Sequence, residues 1–243
     1  MRVAQRAVGV SDRRLAVPAY FHPVVGGEHW ADLARFAGSV RAVVLNVDSG
    51  PGTAPVPALV EAAATLRAAG TEVLGYVDTD YGARPVATIC AEVIRYLDWY
   101  PASGVFLDRV ATGRRQLPWY RLVSVAARAH GARRVVFNPG THPDAGYADL
   151  ADALVTFEGP YQAHRAVRVP PWVRERPADR FWHLVYGTPA SRLVATLDRA
   201  ARYHVGTVYV TDRAGANPWD GLPGYFGRQS RVWADSLRDR LWA

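Results

Sequence analysis

Short β-branched, apolar runs alternate along the chain with longer stretches in which apolar residues return every three or four positions. Eight runs have the length and composition of strands: Leu15–Tyr20, Ala42–Val47, Val73–Val77, Gly104–Leu107, Arg134–Asn138, Ala153–Phe157, Phe181–Val185 and Thr207–Val210. They read as continuous apolar segments rather than alternating ones, the pattern of parallel strands covered on both faces. The clearest helical stretches are Pro57–Ala69, Pro85–Trp99, Pro118–His130 and Ser191–His204. Three open with proline, whose missing N–H is unpaired in a first turn anyway. Gly70 and Gly131, with Gly38 earlier in the chain, stand where helices stop. Alternation of this kind fits either an open doubly wound sheet or a closed barrel. Eight units without a glycine-rich dinucleotide turn favour the barrel, and 243 residues is close to its usual size. The expectation is therefore an α/β fold, a single (β/α)8 barrel over residues 1–243, with 1–14 as a flexible N-terminal segment.

Polar residues stand at the C-terminal end of every strand. Tyr20 and His22 come after the first, Asn46 and Asp48 after the second, Asp78 and Tyr81 after the third. Asp108 and Arg109 end the fourth, Asn138 the fifth and Glu158 the sixth, while His183 and Tyr186 attend the seventh and Thr211 and Asp212 the eighth. The opposite strand ends carry mainly Gly, Ala, Arg or Thr. In such barrels the βα loops converge at the C-terminal face, so polar residues there predict a ligand pocket. Many strand-end Asp and Asn residues only cap helices or form turns, as Asp48 does in Asp-Ser-Gly-Pro-Gly. Asp108 and Glu158 differ, because each comes directly after an apolar strand with no turn residue between.

Composition narrows the classes of function. The net charge is +7 and all 29 basic residues are arginine. Arginine suits phosphate contacts, yet here it is scattered rather than striped, apart from Arg165, Arg168, Arg174, Arg176 and Arg180, so no nucleic-acid partner is expected. No apolar run approaches the ~18 residues that span a membrane. Cys90 is the single cysteine, which excludes an internal disulfide and a cysteine-rich metal site and reads as a buried helix thiol. No motif calls for a metal or another cofactor, and no Gly-x-Ser-x-Gly suggests a serine hydrolase. The chain is expected to be cytoplasmic if Met1 is the native start, and secreted if a leader was removed.

At the strand ends the chain resembles the spherulin-4-like family (spherulation-specific family 4), from Val17 to about Phe226. The matching pieces include Val-Pro-Ala-Tyr-Phe-His-Pro, Leu-Asn-Val-Asp-Ser-Gly-Pro-Gly, Gly-Tyr-Val-Asp-Thr-Asp-Tyr-Gly and Gly-Val-Phe-Leu-Asp. Phe-Asn-Pro-Gly-Thr, Val-Thr-Phe-Glu-Gly, and Tyr-Val-Thr-Asp with the later Asn-Pro-Trp-Asp-Gly-Leu-Pro complete the series. The resemblance implies a (β/α)8 barrel and kinship with glycoside hydrolases that cleave α-1,4-linked N-acetylgalactosamine in galactosaminogalactan. It also implies an Asp-Glu pair on strand four and a further Glu on strand six. Asp108 and Glu158 match the Asp and the strand-six Glu, but Arg109 stands in place of the other Glu.

Glycoside hydrolysis needs one protonated acid and one carboxylate nucleophile or base. Asp108 and Glu158 are the candidate catalytic pair, with Asp78 a third carboxylate nearby. Glu158, flanked by Phe157 and Tyr161, is expected to be the acid and Asp108 the anion. Arg109 either lies against one of these carboxylates and lowers its pKa, or points outward as a rim arginine. Tyr20, Tyr76, Tyr81, Tyr161, Tyr186 and Trp219 are placed to stack on sugar rings or to fill the core. His22 and His183 are candidates to orient hydroxyls, and Asn46, Asp78, Asn138 and Asp212 to meet the ligand. A net charge of +7 with Arg109 at the pocket would repel a deacetylated, cationic polymer, which favours a neutral N-acetylated or an anionic ligand. The first reading is a glycosidase acting on an amino-sugar oligo- or polysaccharide. The alternatives are a non-hydrolytic carbohydrate-binding barrel, to which Arg109 points, and a barrel recruited for intracellular small-molecule biosynthesis.

Overall fold

The computed structural model describes residues 13–235. The expected flexible N-terminal segment therefore falls largely outside the described residues. Eight parallel strands close into a barrel in sequence order: β1 (Arg14–Ala19), β2 (Val40–Leu45), β3 (Glu72–Asp78), β4 (Gly104–Asp108), β5 (Arg134–Phe137), β6 (Ala153–Pro160), β7 (Phe181–Tyr186) and β8 (Thr207–Val210). Closure is made by β1 and β8, where Arg14 lies opposite Thr207 and Leu15 opposite Val208. The strand interiors are buried throughout, as their unbroken apolar sequence requires.

The helical layer is α1 (Gly27–Arg35), α2 (Pro57–Ala68), α3 (Val86–Trp99), α4 (Leu117–Ala129), α5 (Tyr161–His164), α6 (Leu193–Arg202) and α7 (Phe226–Asp235). The four long helices lie where the periodicity puts them, and Gly70 (φ +88°) and Gly131 (φ +103°) end α2 and α4 in the left-handed region. The layer thins between β5 and β7. Only a 3₁₀ turn at Ala145–Asp149 comes after β5, and α5 is a single turn. Gly75 on β3 has a packing reason, since a Cβ there would lie 2.2 Å from the Tyr96 ring of α3. That close approach seats β3 and so fixes the height at which Tyr76 and Asp78 emerge. Cys90 is half-buried on α3, its thiol pushed up by burial.

Candidate active site

The C-terminal ends of β3, β4, β5 and β6 meet in a cluster of buried polar groups. Asp108 ends β4 and Glu158 lies on β6, two strands away, with β5 between them. The gap is bridged by Asn138, directly after β5, whose Nδ2 donates to Asp108 Oδ1 at 2.7 Å and to Glu158 Oε2 at 2.5 Å. Its Oδ1 accepts from the Gly140 N–H at 3.0 Å, which fixes the orientation of the amide. Asp108 Oδ2 accepts from the Tyr76 hydroxyl at 2.8 Å. Tyr20 packs edge-on against Tyr76 with ring centroids 5.5 Å apart, and its own hydroxyl is pushed far up in pKa by burial and by the two carboxyls.

Burial dominates the electrostatics of the pair. Desolvation, reinforced by the charge of Asp108, raises Glu158 to about 7, against the opposing hydrogen bonds of Asn138 and Trp219. Desolvation also raises Asp108, but the Tyr76 hydroxyl, the Arg109 backbone N–H and the Asn138 amide all favour its anion. The environments thus push the two apart: Asp108 ionises first and Glu158 keeps its proton toward neutrality, the pattern by which a site separates anion from acid.

Two cavities open on either side of this centre and share Glu158 and Tyr186 as lining residues. The larger, about 660 Å³, is bounded by Tyr20, Asn46, Asp48, Tyr76, Asn217 and Trp219. The smaller, about 280 Å³, is bounded by Tyr81, Asp108, Arg109, Asn138, Pro139 and Gly140. Tyr186 and Trp219 meet edge-to-face at 5.9 Å, forming an aromatic wall of the larger chamber.

Arg109 resolves into a rim residue. Its φ of +50° breaks the alternation of β4, and its guanidinium turns to Asp78 (Nη1 to Oδ2, 2.8 Å) and to Asp80. It also lies over the Tyr81 ring at 5.0 Å. Asp80 and Tyr81 share the left-handed backbone, at +44° and +54°, which a non-glycine residue adopts at some cost. Backbone bonds from Thr79 N to Asp108 O and from Tyr81 N to Arg109 O hold the two loops together. Of the two placements expected for Arg109, the structure shows the outward one: it sits on the rim and partners neither Asp108 nor Glu158.

Several expected ligand contacts are also corrected. His183 points away from the barrel interior into the helical layer, where it is fully buried and bonded to His164 of α5 (2.9 Å) beside Phe157 and Tyr203. One residue of alternation separates it from the inward positions of β7. His22 is exposed, its Nδ1 accepting from the Val24 N–H, and Asp212 is exposed; neither borders either cavity. Asp78 is occupied by Arg109 and by the Asp80 N–H. Asn138 borders the smaller cavity as expected, with both amide hydrogens directed to the two carboxyls, so it also organises the pair. Phe157 and Tyr161 do not flank Glu158 in the pocket; Trp219 and Tyr186 do. Tyr20, Asn46, Tyr81, Arg109, Tyr186 and Trp219 all border the cavities. Asp48, read as a turn residue, and Asn217, not singled out, also border the larger one; both lie in segments that carry the family resemblance. Among the described residues no group of three or more His, Cys, Asp or Glu could hold a metal ion, and no helix is long and apolar enough to cross a membrane.

The fold and this site define a (β/α)8 barrel carrying a coupled pair of carboxyls at its C-terminal mouth. The chain belongs to spherulation-specific family 4, which it matches over residues 14–232. It is 27% identical to spherulin-4 of Physarum polycephalum over 230 residues, 89% of this chain and 69% of that protein. Among solved structures it is similar to Sph3 of Aspergillus clavatus, solved in complex with GalNAc, with a TM-score of 0.79, 21% identity, and coverage of 92% of this chain and 98% of that one. It is also similar to a GH113 β-mannanase of Alicyclobacillus acidocaldarius (TM-score 0.57, 13% identity, 96% and 98% covered). A chitinase of Rhizomucor miehei gives a TM-score of 0.53 at 10% identity, with 92% and 98% covered.

Proposed function

We propose that this chain is a glycoside hydrolase acting on an α-linked, amino-sugar-containing oligo- or polysaccharide of the N-acetylgalactosamine type, with Glu158 as general acid and Asp108 as nucleophile. The observation that carries the reading is the single Asn138 amide bonded to both carboxyls. Two bonds of 2.7 and 2.5 Å through one nitrogen keep those oxygens within about 5 Å of each other, the separation of retaining rather than inverting enzymes. Glu158, raised to about 7, donates its proton to the leaving oxygen. Asp108 forms the bond to the anomeric carbon, and Glu158, now ionised, takes a proton from the water that releases the sugar. Placing the pair where two cavities meet leaves room for sugar on both sides of the bond. GalNAc bound to the similar Sph3 supports the substrate class.

The test is product analysis by mass spectrometry on α-1,4-linked N-acetylgalactosamine oligomers with wild type, Asp108→Asn and Glu158→Gln. The expected result is shortening by wild type and a ~10²–10⁴-fold loss in each variant with the fold intact. The family resemblance favours a second reading, a non-hydrolytic carbohydrate-binding barrel: it implies a second carboxylate where Arg109 stands. Wild type that binds these oligomers but never shortens them would establish it.

A further inference from the structure

We infer that Arg213 is a positioning residue, which clasps the loop after β8 and through it holds the Trp219 indole against Glu158. The role of Glu158 as acid rests on the glycosidase reading, but the contact itself can be measured without turnover.

The connection from β8 to α7, residues 211–225, contains neither helix nor strand, and its stretch from Gly215 to Trp219 forms one wall of the 660 Å³ cavity. Trp219 is buried, edge-to-face with Tyr186 at 5.9 Å and tilted against Tyr209 at 6.0 Å. Its indole N–H is a donor only, and it bonds to Glu158, favouring the anion against the burial that raises the carboxyl. The backbone fixes the approach to the ring. The Trp219 N–H donates to Asn217 Oδ1 at 3.1 Å, and its carbonyl accepts from the Tyr20 N–H at 3.1 Å.

What comes after Trp219 is held by one side chain. Arg213 Nη1 donates to Asp220 Oδ1 at 2.6 Å, and its Nε donates to the Leu222 carbonyl at 3.3 Å. Gly221 lies between them, and a Cβ there would stand 2.6 Å from Arg213 Nη2 and 2.8 Å from His29 Nε2. The three residues directly after Trp219 thus close around one guanidinium. Arg213 is itself anchored through its backbone: its N–H donates to Thr211 Oγ1 at 3.1 Å, and its carbonyl accepts from the N–H of Gly187, next to Tyr186, at 2.8 Å. An exposed arginine–aspartate pair alone contributes little. The bond to a loop carbonyl and the contact with a residue that has no side chain give this arginine a directional task. The charge acting on Glu158 is that of Asp108 rather than that of Arg213, so Arg213 reaches the acid through Trp219.

The test follows the Glu158 carboxyl by carbon-13 NMR titration of the full chain, with the signal assigned by Glu158→Gln. Trp219→Phe keeps an aromatic ring and removes the donor. The acid dissociation constant of Glu158 should fall about tenfold, so that it titrates about one pH unit higher. Arg213→Gln should lower the constant about threefold. Gly221→Ala, which keeps the arginine but displaces its guanidinium, should match it. The other titratable groups facing Glu158 are common to all these variants: Asp108, Tyr76, Tyr20 and Tyr186, with Asp48 across the larger cavity and Arg109 and Tyr81 across the smaller. The double variant Arg213→Gln/Trp219→Phe should titrate with Trp219→Phe alone, because a residue that acts through the indole then has nothing to act on. An added shift in the double variant would mean that Arg213 acts by its charge and would overturn the inference. An unmoved titration in Arg213→Gln and Gly221→Ala, or in Trp219→Phe, overturns it as well. If the titrations move as expected while wild type never shortens an oligomer, the hydrolase reading falls and this one stands.

Discussion

Tyr76 on β3 donates a 2.8 Å hydrogen bond to Oδ2 of Asp108 on β4, although the two are not register partners: Tyr76 lies opposite Phe106, and Asp78 opposite Asp108. The phenol reaches one step up the barrel wall to the strand end. With Asn138 on the other oxygen and the Arg109 backbone N–H also favouring the anion, Asp108 is held by neutral donors, and no cationic side chain is among its hydrogen-bond partners. Neutral donors orient the anion without the strong stabilisation an arginine would impose.

Tyr76→Phe should lower kcat by about 10- to 100-fold, in the range of losing one aimed donor at a charged centre. Removing a bond that favours the anion raises the pKa of Asp108, so the acidic limb of the kcat pH profile should move to higher pH. A kcat profile that keeps its acidic limb in place would argue against Asp108 as the anion. Leaving Asp108 Oδ2 with one fewer donor should also cost about 1–3 kcal/mol of stability in a denaturant titration.

Glu158 makes the folded protein less stable as pH rises. Its folded pKa of about 7 exceeds the ordinary 4.5, so the folded state binds the extra proton between those values, and that contribution is lost as pH climbs through 7. Glu158→Gln should therefore stabilise the protein at pH 8 relative to wild type by about 2–3 kcal/mol, and by much less at pH 5. Urea midpoints for both proteins at the two pH values check this. Turnover by wild type should fall along the same basic limb.

The barrel and the polar mouth were legible because both arise from local pattern. Unbroken apolar runs mark doubly covered strands, and Asp108 and Glu158 stand out because each continues a strand with no turn residue between. Direction was beyond the reach of that pattern. His183 sits one residue from the inward positions of β7, and a strand buried on both faces leaves no alternation to say which side it takes. Arg109 leaves the alternation altogether through its left-handed φ, set by contacts with a loop 30 residues away in sequence. Asp48 and Asn217 reach the cavity only through the long-range closure of the barrel.

The His164–His183 pair predicts acid sensitivity independent of the site. Burial lowers His164 to about 4 and His183 well below its ordinary value. The folded state therefore excludes protons that the unfolded chain accepts below about pH 6.5, and stability present above that pH is lost as pH falls. For His164 alone the loss approaches about 3 kcal/mol at pH 4. His183→Phe, which keeps an aromatic ring beside Phe157, should flatten the acid side of the stability curve, measured by urea titration from pH 7 to 4, and leave oligomer binding unchanged. Weakened binding in that variant would make His183 a ligand contact after all.

Arg109 gives the sharpest separation between an active and a lapsed hydrolase. If the catalytic pair is Asp108 and Glu158, Arg109→Ala should leave kcat within about threefold of wild type, since an exposed charge outside the pair acts weakly. It should still lower the melting temperature, because Asp78 and Asp80 lose their shared cation while held at one rim. Arg109→Glu puts in the residue that the family resemblance implies at this position but sets a third carboxylate beside those two. Repulsion should lower the melting temperature further, and cleavage should not rise. The left-handed backbone at this position turns the new side chain toward the rim, as it turns the guanidinium, so the carboxylate does not join the Asn138 nest. A gain of cleavage in Arg109→Glu, from a wild type that binds oligomers without shortening them, would mean that the arginine displaced a carboxylate the chemistry needs. In that event Asp108 and Glu158 are not a sufficient pair, and the native chain is a binding barrel descended from a hydrolase.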